Sequence, residues 1–134
     1  MSLDILDYVQ TISTQIYPRG HWVFKESDDS EECMFFIFAG TIGFYKKMGR
    51  DSIKLSEMNA GHFFGEIALI KSVKRTAGAK VESENAKIAR LDKRTFIQIS
   101  KNAPEFLFEL LKQSIDRQIM AEARLKKITE GSHS

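Results

Sequence analysis

The segment Gly61-His62-Phe63-Phe64-Gly65-Glu66-Ile67-Ala68-Leu69-Ile70-Lys71-Ser72-Val73-Lys74-Arg75-Thr76-Ala77 holds the residues whose types and spacing could do chemistry together. Phe64-Gly65 lets the backbone bend and come close to a ligand. Glu66 to Ile70 is helix-compatible, so the amides of Gly65, Glu66, Ile67 and Ala68 surround a helix N-terminus with no partners of their own. Such an end attracts phosphate. Arg75 follows beyond the short helix and its loop, where its guanidinium returns to the same anion with a bidentate grip. A carboxylate beside that anion would repel it, so Glu66 needs another task, and accepting a hydrogen bond from a sugar hydroxyl is what its chemistry offers. A ribose joined to a phosphate is the ligand this describes.

Elements on either side must hold that segment in place. Ile5, Val9, Ile12 and Ile16 recur at spacings of four, three and four, which predicts an amphipathic helix over 3–16 that ends at Tyr17-Pro18. From about residue 20 to Leu91 the chain breaks into short runs rich in Val, Ile, Phe and Tyr. Turn residues separate them at Ser27 to Ser30, Gly40, Met48 to Asp51, Asn59 to Gly61 and Ser83 to Asn85, the pattern of an antiparallel sandwich or barrel over 20–91. Ile53, Leu55 and Met58 against Ser52, Lys54 and Ser56 predict a strand with one buried face, and Ile88 and Leu91 close the last strand. Asp92 is a candidate N-cap for helices over 93–129, broken near Pro104. In the second of these, Phe106, Leu107, Leu110, Leu111, Ile115, Ile119 and Leu125 form a stripe that narrows toward a charged end; the first four are expected to pack on the barrel and the last three to project past it.

Composition excludes several classes. With 134 residues, 43% hydrophobic and 28% charged, the chain is the size of one domain and too apolar for a disordered tail. No apolar stretch approaches the roughly 18 residues of a membrane-spanning helix. A lone Cys33 makes no internal disulfide, and Asp4 and Asp7 stand where a secretory signal would be basic, so the expected location is cytoplasmic. A net charge of +2 neither demands nor excludes an anionic partner. The aromatics of Phe35, Phe36, Phe38, Phe63 and Phe64 read as core, so no direct contact with nucleic acid is expected. There is no G-x-S-x-G, P-loop or H-E-x-x-H. His62 and Glu66 lie four apart, but Gly65 between them argues for a turn, so neither a metal site nor an enzyme is expected. Residues 1–130 read as one domain, with 131–134 as an appended tail.

The segment resembles the phosphate-binding cassette of cyclic nucleotide-binding domains, the family of the catabolite activator protein, protein kinase A regulatory subunits and cyclic nucleotide-gated channels. Its pattern, F-G-E-x-A-L, a short spacer, then R-[TSA]-A, is met by Phe64, Gly65, Glu66, Ala68 and Leu69, then by Arg75, Thr76 and Ala77. The likeness extends over about Tyr17 to Ile119. It departs at Lys74, where the family has Pro, and at Gly78-Ala79, where it has a β-branched pair, which predicts a looser strand there.

The resemblance implies an antiparallel β-roll of the jelly-roll type, mainly β, with an N-terminal helix, a short cassette helix and C-terminal helices. It implies that Glu66 takes the ribose 2′-hydroxyl and Arg75 the cyclic phosphate, with the amides near Gly65, Ile67 and Ala68 and the Thr76 hydroxyl or amide completing the cradle. Phe44 and Leu55 would line an apolar slot, and Leu111, Ile115 and Arg117 would cover the base. The ligand implied is a cyclic purine nucleotide, cAMP before cGMP, with no cofactor. Thr76 leaves the base open, because its hydroxyl can also reach the amino group of a guanine bound syn. The partners implied are an effector domain or protein outside this chain and a second copy meeting through the last helix. Two alternatives stand beside this reading: a member that has lost its ligand and kept an interaction role, and the sensor half of a transcription regulator.

Overall fold

The computed structural model describes residues 4–131, with side chains described as far as Lys127. Eight strands carry the fold: β1 (Thr14–Pro18), β2 (Trp22–Phe24), β3 (Cys33–Ala39), β4 (Thr41–Met48), β5 (Asp51–Asn59), β6 (Phe63–Phe64), β7 (Gly78–Val81) and β8 (Asn85–Asp92). They form two four-stranded sheets, ordered β1-β8-β3-β6 and β2-β7-β4-β5, and every pairing is antiparallel. A short helix α1 (Glu66–Ile70) interrupts the strands, and α2 (Lys93–Asn102) and α3 (Glu105–Gly131) follow them. The chain has the expected mainly antiparallel β-roll with flanking helices.

The Phe-rich run of β3 is buried from Cys33 through Ile37 because its sheet is covered on both faces. Successive side chains on a strand point to opposite sides. Met34 and Phe36 therefore join Phe63, Leu69, Leu91, Phe106 and Leu110 in a core beneath the helices. Cys33, Phe35 and Ile37 join Ile42, Phe64, Ala79, Val81 and Ile88 in a second core between the sheets. β6 repeats the division, Phe63 serving one core and Phe64 the other, which ties the entrance of α1 to both.

Four expectations are corrected. The helix predicted over 3–16 is a 3₁₀ turn over Ile5–Val9, with residue 3 outside the described residues. Ile5 and Val9 are buried, but Ile16 is 70% exposed because Thr14 to Pro18 is strand β1, paired with β8. The β-branched and aromatic side chains of Thr14, Ile16 and Tyr17 favour that pairing over a helical turn, so the roll begins at Thr14 rather than near residue 20.

The buried face expected of β5 is absent, with Ile53 46% and Leu55 56% exposed, because β5 is the outer strand of its sheet. Only Met58, near its end, packs against the inter-sheet core. The looser strand expected at Gly78-Ala79 is seen only in a register shift where β2 pairs with Ala79 and Lys80: both residues are buried, and a Cβ on Gly78 would stand 2.7 Å from Cζ3 of Trp22, so the indole fills the space of the missing side chain. Finally, only half of the early stripe of α3 packs on the roll: Phe106 and Leu110 are buried, but Leu107 is 45% and Leu111 58% exposed, while Ile115, Ile119 and Leu125 are exposed as expected.

Candidate functional site

Arg75 organises the site. Its side chain is only 6% exposed, and among the described residues no carboxylate lies within ion-pair distance. Nη1 donates to the Gly65 carbonyl at 3.0 Å, and Nη2 donates to the carbonyls of Ser30 at 3.0 Å and Cys33 at 2.9 Å, with the Cys33 sulfur 3.5 Å away. The guanidinium lies 4.3 Å from the centre of the Phe24 ring, and Nε is buried with no hydrogen-bond partner. Burial lowers the pKa of Arg75 from its ordinary value, with Cys33 and Glu31 opposing the shift, yet a guanidinium stays charged in a protein. The cation is thus buried among neutral carbonyls and a ring, with Nε left unpaired, a costly arrangement for a charge.

The backbone around it is built for that position. Ser27 N donates to Arg75 O at 2.7 Å and Arg75 N donates to Asp28 O at 2.9 Å, so the β2–β3 loop and the arginine segment bind each other in both directions. Gly65, the N-cap of α1, sits at φ +79°, a left-handed conformation in which glycine carries no steric penalty. A Cβ there would also come within 2.7 Å of Arg75 Nη1. With no cap side chain, the first amides of α1 have no side-chain partner, as helix geometry leaves them.

These groups face one cleft of about 130 Å³, lined by Phe24, Phe44, Gly65, Glu66, Ile67, Ala68, Val73, Lys74, Arg75, Thr76 and Ala77. That volume is below the roughly 300–1,000 Å³ of a site enclosing a drug-sized ligand. Glu66, 31% exposed, also borders a second, apolar groove of about 300 Å³ among Met34, Phe63, Leu69, Ile70, Phe96, Leu107, Leu110 and Leu111.

The sequence-predicted residues Phe44, Gly65, Glu66, Ile67, Ala68, Arg75, Thr76 and Ala77 thus share one cleft, and Phe64 packs directly beneath, its ring 5.3 Å from that of Phe44. Leu55 does not reach it. The pairing skips from Phe44↔Ser56 to Tyr45↔Lys54, leaving Leu55 as the extra residue of a bulge on the outer strand. Of the three residues expected to cover a base, Leu111 is 58% and Ile115 46% exposed, and Leu111 lines the apolar groove rather than the cleft. Arg117 instead lies against Phe63, 4.2 Å from its ring centre, with Nη1 3.9 Å from Glu66 Oε1. Sequence reasoning missed Phe24, Ser30 and Cys33 around Arg75. They are 51, 45 and 42 positions away, and no local pattern signals that their ring and carbonyls would receive a guanidinium.

Residues 14–103 match the family described as the cyclic nucleotide-binding domain. Among curated proteins, a cAMP-dependent protein kinase regulatory subunit of Neurospora crassa is 35% identical over 85 residues, 63% of this chain and 21% of that protein. A cAMP-dependent protein kinase type II regulatory subunit of Drosophila melanogaster is 24% identical over 92% of this chain and 30% of its own length. The chain therefore spans only a fifth to a third of these relatives. Among solved structures, the catabolite activator protein of Thermus thermophilus superposes with a TM-score of 0.77 at 18% identity, over 96% of this chain and 61% of that one, a likeness of fold.

Proposed function

This chain belongs to the cyclic nucleotide-binding domain family, a domain of regulatory proteins, and on that premise we propose that it is a sensor of a 3′,5′-cyclic purine nucleotide. In this reading Arg75 pairs with the cyclic phosphate, and the amides of Gly65, Ile67 and Ala68 with Thr76 complete the anion cradle. Glu66 accepts the ribose 2′-hydroxyl, Phe44 walls the sugar, and α3 comes over the base with Leu111 and Ile115. Residues 1–130 act as one binding module, without catalysis of their own, for an effector domain or protein in the cytoplasm. A second copy meeting along α3 is a further partner.

The observation that carries the proposal is the buried Arg75, charged, facing a cleft and lacking an acidic partner. A phosphate would supply the missing charge and accept from the unpaired donor. The small cleft gives the C-terminal helices a role: a purine reaching beyond the phosphate and sugar is desolvated only when α3 closes on it, so the ligand favours the closed state and shifts the population toward it. Cyclic AMP is the favoured ligand, since relatives named for cAMP-dependent kinases match most of this chain and, among the described residues, Thr76 is the one hydroxyl side chain lining the cleft that could reach a guanine amino group.

Titration calorimetry with both cyclic nucleotides tests this reading. Micromolar or tighter binding with cAMP preferred is expected. A tenfold preference for cGMP would reverse the base assignment, and binding of neither would favour the alternative of an interaction domain without a ligand.

A further inference from the structure

Gln113 and Arg117 lie one turn apart on α3, which puts them on one face, and both reach the strand that leads into the cassette. Gln113 Oε1 accepts from Phe63 N at 3.4 Å, and its Nε2 lies 3.5 Å from Gly61 O. Arg117 Nη2 donates to Phe63 O and, at 2.6 Å, to Gln113 Oε1. Its guanidinium covers the Phe63 ring at 4.2 Å. The arginine is thus held by a backbone carbonyl, a neighbouring amide and an aromatic face before any acid is considered. Only a quarter of its side chain is exposed, and the carboxylate beside it is that of Glu66, 3.9 Å from Nη1.

Phe63 and Glu66 are separated by two residues, so Arg117 touches the strand before the bend and the acid after it. A planar guanidinium with five donors can serve both at once, where a lysine would serve one. Glu66 stands at the border between the cleft of Arg75 and the apolar groove of α3. Among the described residues, Arg117 is the cation within ion-pair distance of that carboxylate.

We propose that Arg117 is a positioning residue that orients the Glu66 carboxylate, so that a residue of α3 sets how strongly the site demands a ribose 2′-hydroxyl. The proposal rests on the cyclic-nucleotide reading and deepens it. Arg117 then has a task besides covering a base. It links occupation of the cassette to α3, because a hydroxyl that donates to Glu66 competes with Arg117 for the same carboxylate oxygens.

The test compares the parent with Arg117→Met, which keeps an apolar stem over Phe63, with Glu66→Gln, and with the double variant. Affinities are measured for a cyclic nucleotide and its 2′-deoxy form. The expected result is that Arg117→Met lowers the ratio of the two affinities by about two- to fivefold, the range of a partly exposed ion pair, and lowers it no further once Glu66 is replaced. Loss of affinity for both forms in equal proportion would assign Arg117 a merely structural role and overturn the proposal, as would an unchanged ratio. If the parent bound no cyclic nucleotide, the functional reading would fall by itself, and amide exchange without ligand would judge the link. Faster exchange over 63–68 in both single variants supports it; unchanged exchange overturns it.

Discussion

At the scale of single residues, the proposed site turns on a buried charge. Arg75 is held by three carbonyls and a ring, and in the proposed reading that holding supplies part of the order a phosphate would need. Gly65 is fixed by the same geometry. Gly65→Ala forces a side chain into left-handed backbone, at about 1–2 kcal/mol, and pushes on Arg75 Nη1. It should lower stability by that amount in urea unfolding and weaken nucleotide binding as well; an unchanged midpoint and affinity would remove glycine's special role. Glu66 should distinguish ribose from deoxyribose, because a carboxylate that loses the 2′-hydroxyl keeps an unmet acceptor, worth about 1–3 kcal/mol. Equal affinity for both forms would sink its assignment.

At the scale of elements, caps and strands set the frame. Asp92 accepts from Thr95 N at 2.8 Å at the start of α2, and that bond holds its carboxyl below the ordinary value of 3.8. A depressed folded-state pKa contributes stability above the unfolded value, and that stability is lost as pH falls through the lower folded one. Asp92→Ala should therefore cost about 1 kcal/mol near neutrality, and the difference from the parent should vanish in acid. A cost unchanged down to pH 2 would contradict it. The cap was legible because it needs only neighbours in sequence, and so was the cassette, whose parts lie within seventeen residues. β1 was not: Ile5, Val9, Ile12 and Ile16 happen to fall at helical spacing, and only the edge of β8 decides that Ile16 is strand. β5 was misread because alternation implies a buried face only when another layer covers it. On α3, truncation after Ser114 removes Ile115, Arg117 and Ile119; nucleotide affinity should fall if this stretch closes the site, and dimers should disappear in sedimentation if it is a seam. A truncated protein matching the parent in both would assign it neither role.

At the scale of the whole molecule, two cores share one central strand, and β6 and α1 lie where they meet. Phe63 packs with the helices and Phe64 with the facing sheet, so any displacement of β6 would be felt by both layers, since close-packed interiors transmit such shifts. The long helix buries Phe106 and Leu110 but leaves Leu107, Leu111, Ile115 and Ile119 about half exposed. Arg75 is the point from which this account proceeds, and calorimetric titration of a cyclic nucleotide into the parent, Arg75→Ala and Arg75→Lys tests it most directly. Lysine fills the space and keeps the charge, so a change common to both variants cannot be attributed to a void. With both variants shown folded by circular dichroism, each should lose at least about tenfold in affinity, and alanine about 2–4 kcal/mol, as a desolvated anion loses its bidentate partner. Variants that bind as tightly as the parent would show that the phosphate is held elsewhere.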